Sequence, residues 1–218
     1  ELFPADWQAA APGRRLVAAL IHVDVMPDDP DSLSARFAEW FAIDGLTAVE
    51  VLDGAAVIAT DFRIDPAGWM RFAVFARPEL GPGRLGRVVQ RLTELETYRA
   101  MSMLGLPRAR TLTATLNALD ARLTALVDGL GDDDRPAETV LHDLLRVSAQ
   151  LETEATQHSF RFGATRAYEA IVQDRIAALR ESRFQGRQTL TEFMTRRYEP
   201  AMRTVQSAEV RLDAMLDR

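Results

Sequence analysis

Six charged side chains in the second half of the chain could form one buried polar cluster. Each lies at or beside an apolar stripe of a predicted helix: Arg91, Glu96, Arg99, Arg161, Arg166 and Glu169. A charge buried between helices needs a partner, because breaking a buried pair costs about 3–5 kcal/mol. Two kinds of chemistry fit this cluster. The arginines can pair with glutamates of neighbouring helices, or they can line a pocket for an anionic ligand.

Glu96 and Arg99 are predicted to lie between two helices, one that starts near Arg84 and one that follows Ala137. Both residues stand one turn beyond an apolar stripe that ends at Leu95. Their expected partners occupy the stretch where the seam of the second helix becomes polar: Arg161, Arg166 and Glu169.

A glycine-rich segment is the second candidate site. Gly81-Pro82-Gly83-Arg84-Leu85-Gly86 matches the G-x-G-x-x-G pattern of dinucleotide-binding folds. Those folds need a tight strand–turn–helix unit followed by another strand, whereas here a second helix follows. We interpret the segment as a hinge between two regions. The alternative is an anion site at the N-terminus of the helix, formed by Gly83, Arg84 and Arg87.

Other patterns of catalytic or metal-binding residues are incomplete. Glu154 and His158 share a helical face and could supply half of a metal site, but the sequence has no second copy of the pair. We therefore interpret His158 as a polar seam residue that is hydrogen-bonded to a neighbouring helix. Asp132–Asp134 lacks the alternating ligands and the glutamate of a calcium loop, so we interpret it as a solvated turn. The absence of cysteine excludes thiol catalysis and disulfides. We therefore predict no catalytic residue, no metal and no cofactor.

Composition and charge narrow the class of protein. Of the 218 residues, 47% are hydrophobic, as in soluble globular proteins, and the net charge is −6. Residues 1–83 contain six Arg against 13 acidic residues, which gives −7, and residues 84–218 sum to +1. A nucleic-acid-binding module normally presents a basic face, so we predict no nucleic-acid partner. The first residue is not Met and the last residues still have a helical pattern, so we expect a soluble fragment of a longer protein.

The elements that position these residues change character near residue 83. Residues 15–25 form an apolar run that suits a strand buried on both faces, and Asp31 or Ser32 can cap a helix over Leu33–Ile43. Asp53-Gly54 predicts a type I′ hairpin turn between strands at 47–52 and 55–62, and a further strand covers 69–76. We expect a mixed or antiparallel sheet with one face covered by helix.

After residue 83 the apolar period becomes helical. One helix begins near Arg84 and is interrupted at Pro107. The next has leucines spaced four and three apart, which is typical of a coiled-coil seam: Leu112, Leu116, Leu119, Leu123, Leu126 and Leu130. A long helix then runs from Ala137 to about residue 183, with a possible kink at Gly163. Its predicted seam is Leu141, Leu144, Ser148, Leu151, Ala155, His158, Phe162 and Thr165. A last helix contains Pro200, where we expect a kink. The predicted fold is α+β, with a sheet domain at 1–83 and an antiparallel helical bundle at 84–218.

Four stretches of the sequence resemble the bacterial family catalogued as domain of unknown function 3422. They follow one another in the order of that family from residue 60 to residue 204: TDFR at 60–63, GRVVQRLTELETYR at 86–99, YEAIVQDRIAALRE at 168–181 and EFMTRRYEPAMRT at 192–204. Members are described as predicted membrane-anchored proteins without an assigned activity. The resemblance therefore implies a domain on the cytoplasmic face of the inner membrane, with its membrane segment outside this chain. It implies no catalytic residue.

Three hypotheses for the function follow. The first is a scaffold or regulatory domain of a membrane-anchored protein that forms a homo-oligomer through its helices. The second is the soluble domain of a CorA-like divalent-cation channel, by analogy of layout, with the acidic residues of 1–83 attracting cations. The third is an enzyme with a pocket lined by the Arg and Glu residues listed above.

Overall fold

A mixed five-stranded sheet is the centre of the computed structural model, which describes residues 4–129 and 136–217. Its strands are β1 (Ala19–Val25), β2 (Thr47–Val51), β3 (Ala56–Thr60), β4 (Met70–Ala76) and β5 (Ser182–Arg183). The spatial order is β1-β4-β3-β2-β5. β1 is parallel to β4 and the other neighbours are antiparallel. The predicted α+β class and mixed sheet are confirmed.

Seven α-helices are described, and the longest follow the sheet strands in the chain. They are α1 (Ala5–Ala10), α2 (Pro30–Trp40), α3 (Pro82–Met103), α4 (Gly105–Asp128), α5 (Ala137–Leu179), α6 (Leu190–Arg197) and α7 (Glu199–Leu216). At about 1.5 Å per residue, the 43 residues of α5 span about 65 Å. None of the described helices is long and apolar enough to cross a membrane. Leu130 and the acidic segment Asp132–Asp134 lie outside the described residues.

Helices cover both faces of the sheet, so the prediction of one covered face is wrong. On one face, α2 buries Leu33 and Phe37 against a cluster that includes Phe75. On the other face, helices from after residue 83 pack against residues such as Ile58 and Phe72. Because β2, β3 and β4 are buried on both sides, they read as continuous apolar runs. The second layer comes from helices distant in the sequence, which local patterns do not reveal.

The prediction that residues 15–25 form a strand buried on both faces is wrong for β1. It is an edge strand, and Leu20, Val23 and Val25 are 40%, 42% and 61% exposed. Helix α2, which follows it, starts at Pro30 and is capped by Asp29 instead of Asp31 or Ser32.

The hairpin predicted around Asp53-Gly54 is present, but its loop is longer than a two-residue type I′ turn. Four residues lie between the paired ends of β2 and β3, and Leu52, Asp53 and Gly54 all have positive φ. Leu52 N donates a hydrogen bond to the carbonyl of Leu179 (3.1 Å), and Asp53 forms an ion pair with Arg180 (2.8 Å). The loop conformation therefore depends on its contact with the end of α5.

Pro107 and Pro200 lie in the first turns of helices, which corrects their predicted role as interruptions. The break between α3 and α4 lies just before Gly105, and Pro107 is in the first turn of α4. A Cβ on Gly105 would stand 2.4 Å from Thr165 Oγ1, so the glycine lets α4 approach α5 closely. Likewise Pro200 is the second residue of α7, and the chain bends at Tyr198.

The buried stripe of α5 differs from the predicted seam in its first half. Leu141 is 58% exposed and Ser148 is exposed, and Val140 and Val147 are buried in their place. The predicted positions from Leu151 onward are buried or partly buried, and α5 is continuous through residue 163. This stripe, α4 and α7 enclose one apolar cluster.

Residues after 83 also contribute to the sheet layer. β5 pairs with β2, and one apolar cluster joins strand residues such as Val74 to Leu92 of α3, Val172 of α5 and Met194 of α6. The strands β1–β4 therefore end before α3 begins at Pro82, and residues from both regions pack in the same apolar cluster.

Candidate functional site

Glu96 and Arg99 form a buried ion pair on α3. Arg99 Nε and Nη2 donate to the two carboxylate oxygens of Glu96 at 2.8 Å each. The Glu96 side chain is 4% exposed and the Arg99 side chain is 19% exposed. Bidentate pairs of this kind are stronger than single charged hydrogen bonds. The spacing of three residues places both groups on one helical face, so the pair forms within the helix.

Arg99 also lies against an aromatic pair. Its guanidinium carbon is 5.9 Å from the centroid of the Phe62 ring, and Phe62 stacks on Phe193 of α6 with centroids 3.9 Å apart. A cation over an aromatic face is attracted by the ring quadrupole. The site thus joins α3, the turn after β3 and α6.

The turn at residues 60–63 places Phe62. Phe62 has a φ of +52°, which is uncommon for a residue other than glycine. Two side chains stabilise this conformation. Thr60 Oγ1 accepts from Phe62 N (3.1 Å), and the Asp61 carboxylate accepts from Arg63 N (3.0 Å) and Ala42 N (3.1 Å).

A cleft of about 220 Å³ opens beside Glu96. It is lined by Glu96 together with the segment before β1 and residues near the start of β4: Arg15, Leu16, Val17, Ala18, Ile64, Gly68 and Met70. Glu96 therefore lines a cleft at the edge of the sheet, and its ion-pair partner is Arg99 instead of a residue of α5. Arg91, Arg99 and Arg161 do not line this cleft.

A second group of polar contacts joins α3, α5 and the α6–α7 junction. The hydroxyls of Ser102 and Tyr198 are 2.7 Å apart, and Thr165 Oγ1 donates to the carbonyl of Ser102 (3.3 Å). Burial raises the pKa of Tyr198 to about 12. The pKa of Glu169 is also raised, mainly by burial, although Gln206 donates to its carboxylate (3.1 Å).

The other predicted cluster residues are dispersed among separate contacts. Arg91 donates to the carbonyl of Ala178 (3.0 Å), and Arg166 pairs with Glu209 of α7. Arg161 is partly buried, and none of the described ion pairs includes it. The structure thus joins Glu96 to Arg99 and does not bring Arg161, Arg166 or Glu169 to them.

The glycine-rich segment lies at the start of α3. Gly83, Arg84 and Arg87 are all exposed, and the cap residue Gly81 provides no side-chain hydrogen bond. A short 3₁₀ turn at Pro78–Leu80 separates β4 from α3, and α4 follows α3. The dinucleotide-binding order of strand, helix and strand is therefore absent at this position.

His158 is a buried residue of the helical region. Its Nε2 is 3.2 Å from Glu154 Oε2, and its ring stacks on Phe162. We expected a partner on a neighbouring helix, but Glu154 belongs to α5 itself. Within residues 4–129 and 136–217, no group of three His, Asp or Glu side chains could hold a metal ion.

A family model described as "Protein of unknown function (DUF3422)" matches residues 1–218. The chain belongs to the DUF3422 family. No curated protein and no solved structure matches it.

The four stretches that resemble DUF3422 meet in one region of this family member. Phe62 from the first contacts Arg99 from the second and Phe193 from the fourth. The second and third stretches meet through the stacked rings of Tyr98 and Tyr168 and through the ion pair of Glu94 with Arg175. In this DUF3422 chain the stretches are therefore the packing surfaces between the sheet, α3, α5 and α6.

Sequence reasoning missed several residues that hold this region of the DUF3422 fold together. Thr189 and Glu192 form a capping box at the start of α6, which the T-x-x-E spacing could have indicated. Glu181 also accepts hydrogen bonds from Leu190 N and Thr191 N, both at 2.9 Å. No local pattern indicates that contact, because Glu181 precedes β5.

Proposed function

We propose that this chain is a scaffold domain that self-associates, and that it belongs to a membrane-anchored protein at the cytoplasmic face of the inner membrane. The observation that carries the self-association is a group of large apolar side chains exposed at and near one edge of the sheet: Leu16, Leu20, Val23, Val25 and Ile64. Single exposed apolar residues are ordinary, whereas several at one edge indicate an interaction site.

The polar cluster supports a structural role for the Arg and Glu residues. Both carboxylate oxygens of Glu96 are occupied by Arg99, and Arg91 and Arg166 are engaged in other contacts. With both oxygens bonded to the guanidinium, the Glu96 carboxylate has a structural partner inside its own helix. The membrane anchor rests on the family resemblance and completes the proposal.

Sedimentation equilibrium of the full 218-residue chain over a wide concentration range tests the self-association. We expect a monomer–dimer or higher equilibrium that shifts with concentration. A strict monomer at every concentration would contradict the proposal. Fractionation of cells that express the parent protein tests the anchor, and recovery outside the membrane pellet would contradict it.

A further inference from the structure

Strand β1 has an unpaired backbone edge. It pairs with β4 on one side, where the carbonyl of Ala18 accepts from Met70 N (2.9 Å). Because backbone groups of successive strand residues point to opposite sides, the odd-numbered residues direct theirs away from β4. Within the described chain these groups have no backbone partner at three positions: Ala19, Ile21 and Val23. Val25 N is different, since it donates to Asp24 Oδ1 (2.8 Å).

The side chains of this edge do not protect it. Soluble proteins blunt edge strands with lysine, proline, bulges or inward charges. Residues 19–25 contain no lysine, no arginine and no proline, and they pair with β4 in a continuous register. Asp24 is the one acidic residue of the strand, and it forms an ion pair with Arg36. The edge is therefore apolar and nearly neutral.

Charges at the two ends of β1 have opposite signs. Arg14 and Arg15 precede the strand, and Asp28 and Asp29 follow it. Arg15 is engaged, since it donates to the carbonyl of Ala67 (2.8 Å), and Asp29 caps α2. Arg14 and Asp28 are exposed, and the described ion pairs include neither.

We infer that the edge of β1 pairs antiparallel with β1 of a second copy of this chain. This inference rests on the proposed self-association and assigns its interface. In the register that places Ile21 opposite Ile21 of the second copy, Ala19 lies opposite Val23 and the open edges form about six hydrogen bonds. Arg14 and Asp28 are both seven residues from Ile21, so the same register places Arg14 of each copy opposite Asp28 of the other.

This register is preferred to its neighbour centred on His22. That alternative places two His22 side chains opposite each other and pairs Leu20 with Asp24. It also directs the engaged Arg15 toward the helix-capping Asp29 and leaves Arg14 opposite Pro30. The register centred on Ile21 brings the two free charges together.

The variant Ile21→Pro tests the pairing in the full chain. The N–H of Ile21 faces the open side, and proline is tolerated on edge strands at such positions, so the ladder to β4 keeps its bonds. We expect Ile21→Pro and the charged variant Val23→Lys to raise the dimer dissociation constant at least tenfold in sedimentation. The matched control is Phe160→Lys on α5, where Phe160 is 80% exposed, and its dissociation constant should stay within about twofold of the wild-type value.

A charge reversal tests the register without touching the strand. We expect Arg14→Asp alone and Asp28→Arg alone to weaken the dimer by about three- to tenfold, since each replaces exposed attractions by repulsions. The double variant should restore the wild-type dissociation constant. Failure of the double variant to recover would overturn the register.

The outcomes separate this inference from the proposed function. A dimer that persists in Ile21→Pro and Val23→Lys but is lost in Phe160→Lys would overturn the β1 interface and leave self-association standing. A wild-type chain that is monomeric throughout would overturn both. Loss of the dimer in the β1 variants alone, with recovery in the charge swap, supports the antiparallel pair.

Discussion

The hydroxyl oxygens of Ser102 and Tyr198 lie 2.7 Å apart in the buried contact between α3 and the α6–α7 junction. Ser102 Oγ donates its own hydrogen to the carbonyl of Arg99 (2.8 Å), so Tyr198 is the donor of the pair. The bond connects residues separated by most of the helical region. It also depends on the protonation of one phenol.

The first prediction is that Tyr198→Phe removes an alkaline titration step. Burial raises the pKa of Tyr198 to about 12, against ~10 for an unfolded tyrosine. The stability that the neutral phenol contributes is therefore full below pH ~10 and is lost as the pH rises through ~12. Ultraviolet difference titration of the wild-type chain should show tyrosinate forming near pH 12. The same step in Tyr198→Phe would contradict the assignment.

The second prediction concerns the ion pair on α3. Glu96→Ala should lower the free energy of unfolding by about 3–5 kcal/mol, because it leaves the mostly buried guanidinium of Arg99 without its carboxylate. Urea denaturation measures this change. The control is Arg203→Ala, which removes an exposed partner of Glu199 and should cost ~0.2–1 kcal/mol. Equal shifts of the two midpoints would show that burial of Glu96 has no energetic consequence.

The third prediction concerns the contact between α4 and α5. Gly105→Ala should destabilise the fold by about 1–3 kcal/mol, because its Cβ would stand 2.4 Å from Thr165 Oγ1. In the double variant with Thr165→Ala, the two changes should be non-additive and part of the loss should be recovered. Gly163→Ala is the matched control, since the nearest atom to its Cβ is 4.0 Å away. It should stabilise the helix by up to about 1 kcal/mol. A melting temperature lowered equally by both substitutions would argue against a specific steric contact.

The fourth prediction concerns the partly buried carboxyl of Glu169. Its pKa is raised in the folded chain, chiefly by burial, so ionisation of this group destabilises the fold. That cost is present above the folded pKa and vanishes below the unfolded pKa of ~4.3. Glu169→Gln should therefore raise the urea midpoint at pH 7, and the gain should shrink toward zero near pH 4. A gain that is independent of pH would assign the effect to packing instead of charge.

The period of the apolar residues was enough to predict most of the elements. Strands β2, β3 and β4 are found within two residues of their predicted ends, and the leucines of α4 are buried at Leu112, Leu116, Leu119 and Leu126. Apolar runs and heptad spacing are local, so neighbouring residues alone specify them. The predicted positions of the helix breaks, Pro107 and Pro200, were less accurate. The breaks occur before Gly105 and at Tyr198, which contact Thr165 of α5 and Ser102 of α3.

Of the six residues in the predicted cluster, Glu96 and Arg99 pair with each other, whereas Arg91, Arg166 and Glu169 have other partners. Glu96 is buried and charged, as its place beside the apolar stripe indicated. The partner is Arg99 on the same helix, although the spacing of three residues was visible in the sequence. The choice between that partner and α5 depends on which face of α3 meets the sheet.

By itself, the sequence determined the kind of each major element, the absence of thiol chemistry and the family to which the chain belongs. The tertiary structure decided that β1 is an exposed edge, that β5 completes the sheet, and that Phe62 reaches Arg99 and Phe193. The physical reason is the range of the interactions involved. Helix and strand periods follow from the backbone geometry of successive residues. An edge, a buried partner or a stacked ring depends on segments that meet only after the chain has folded.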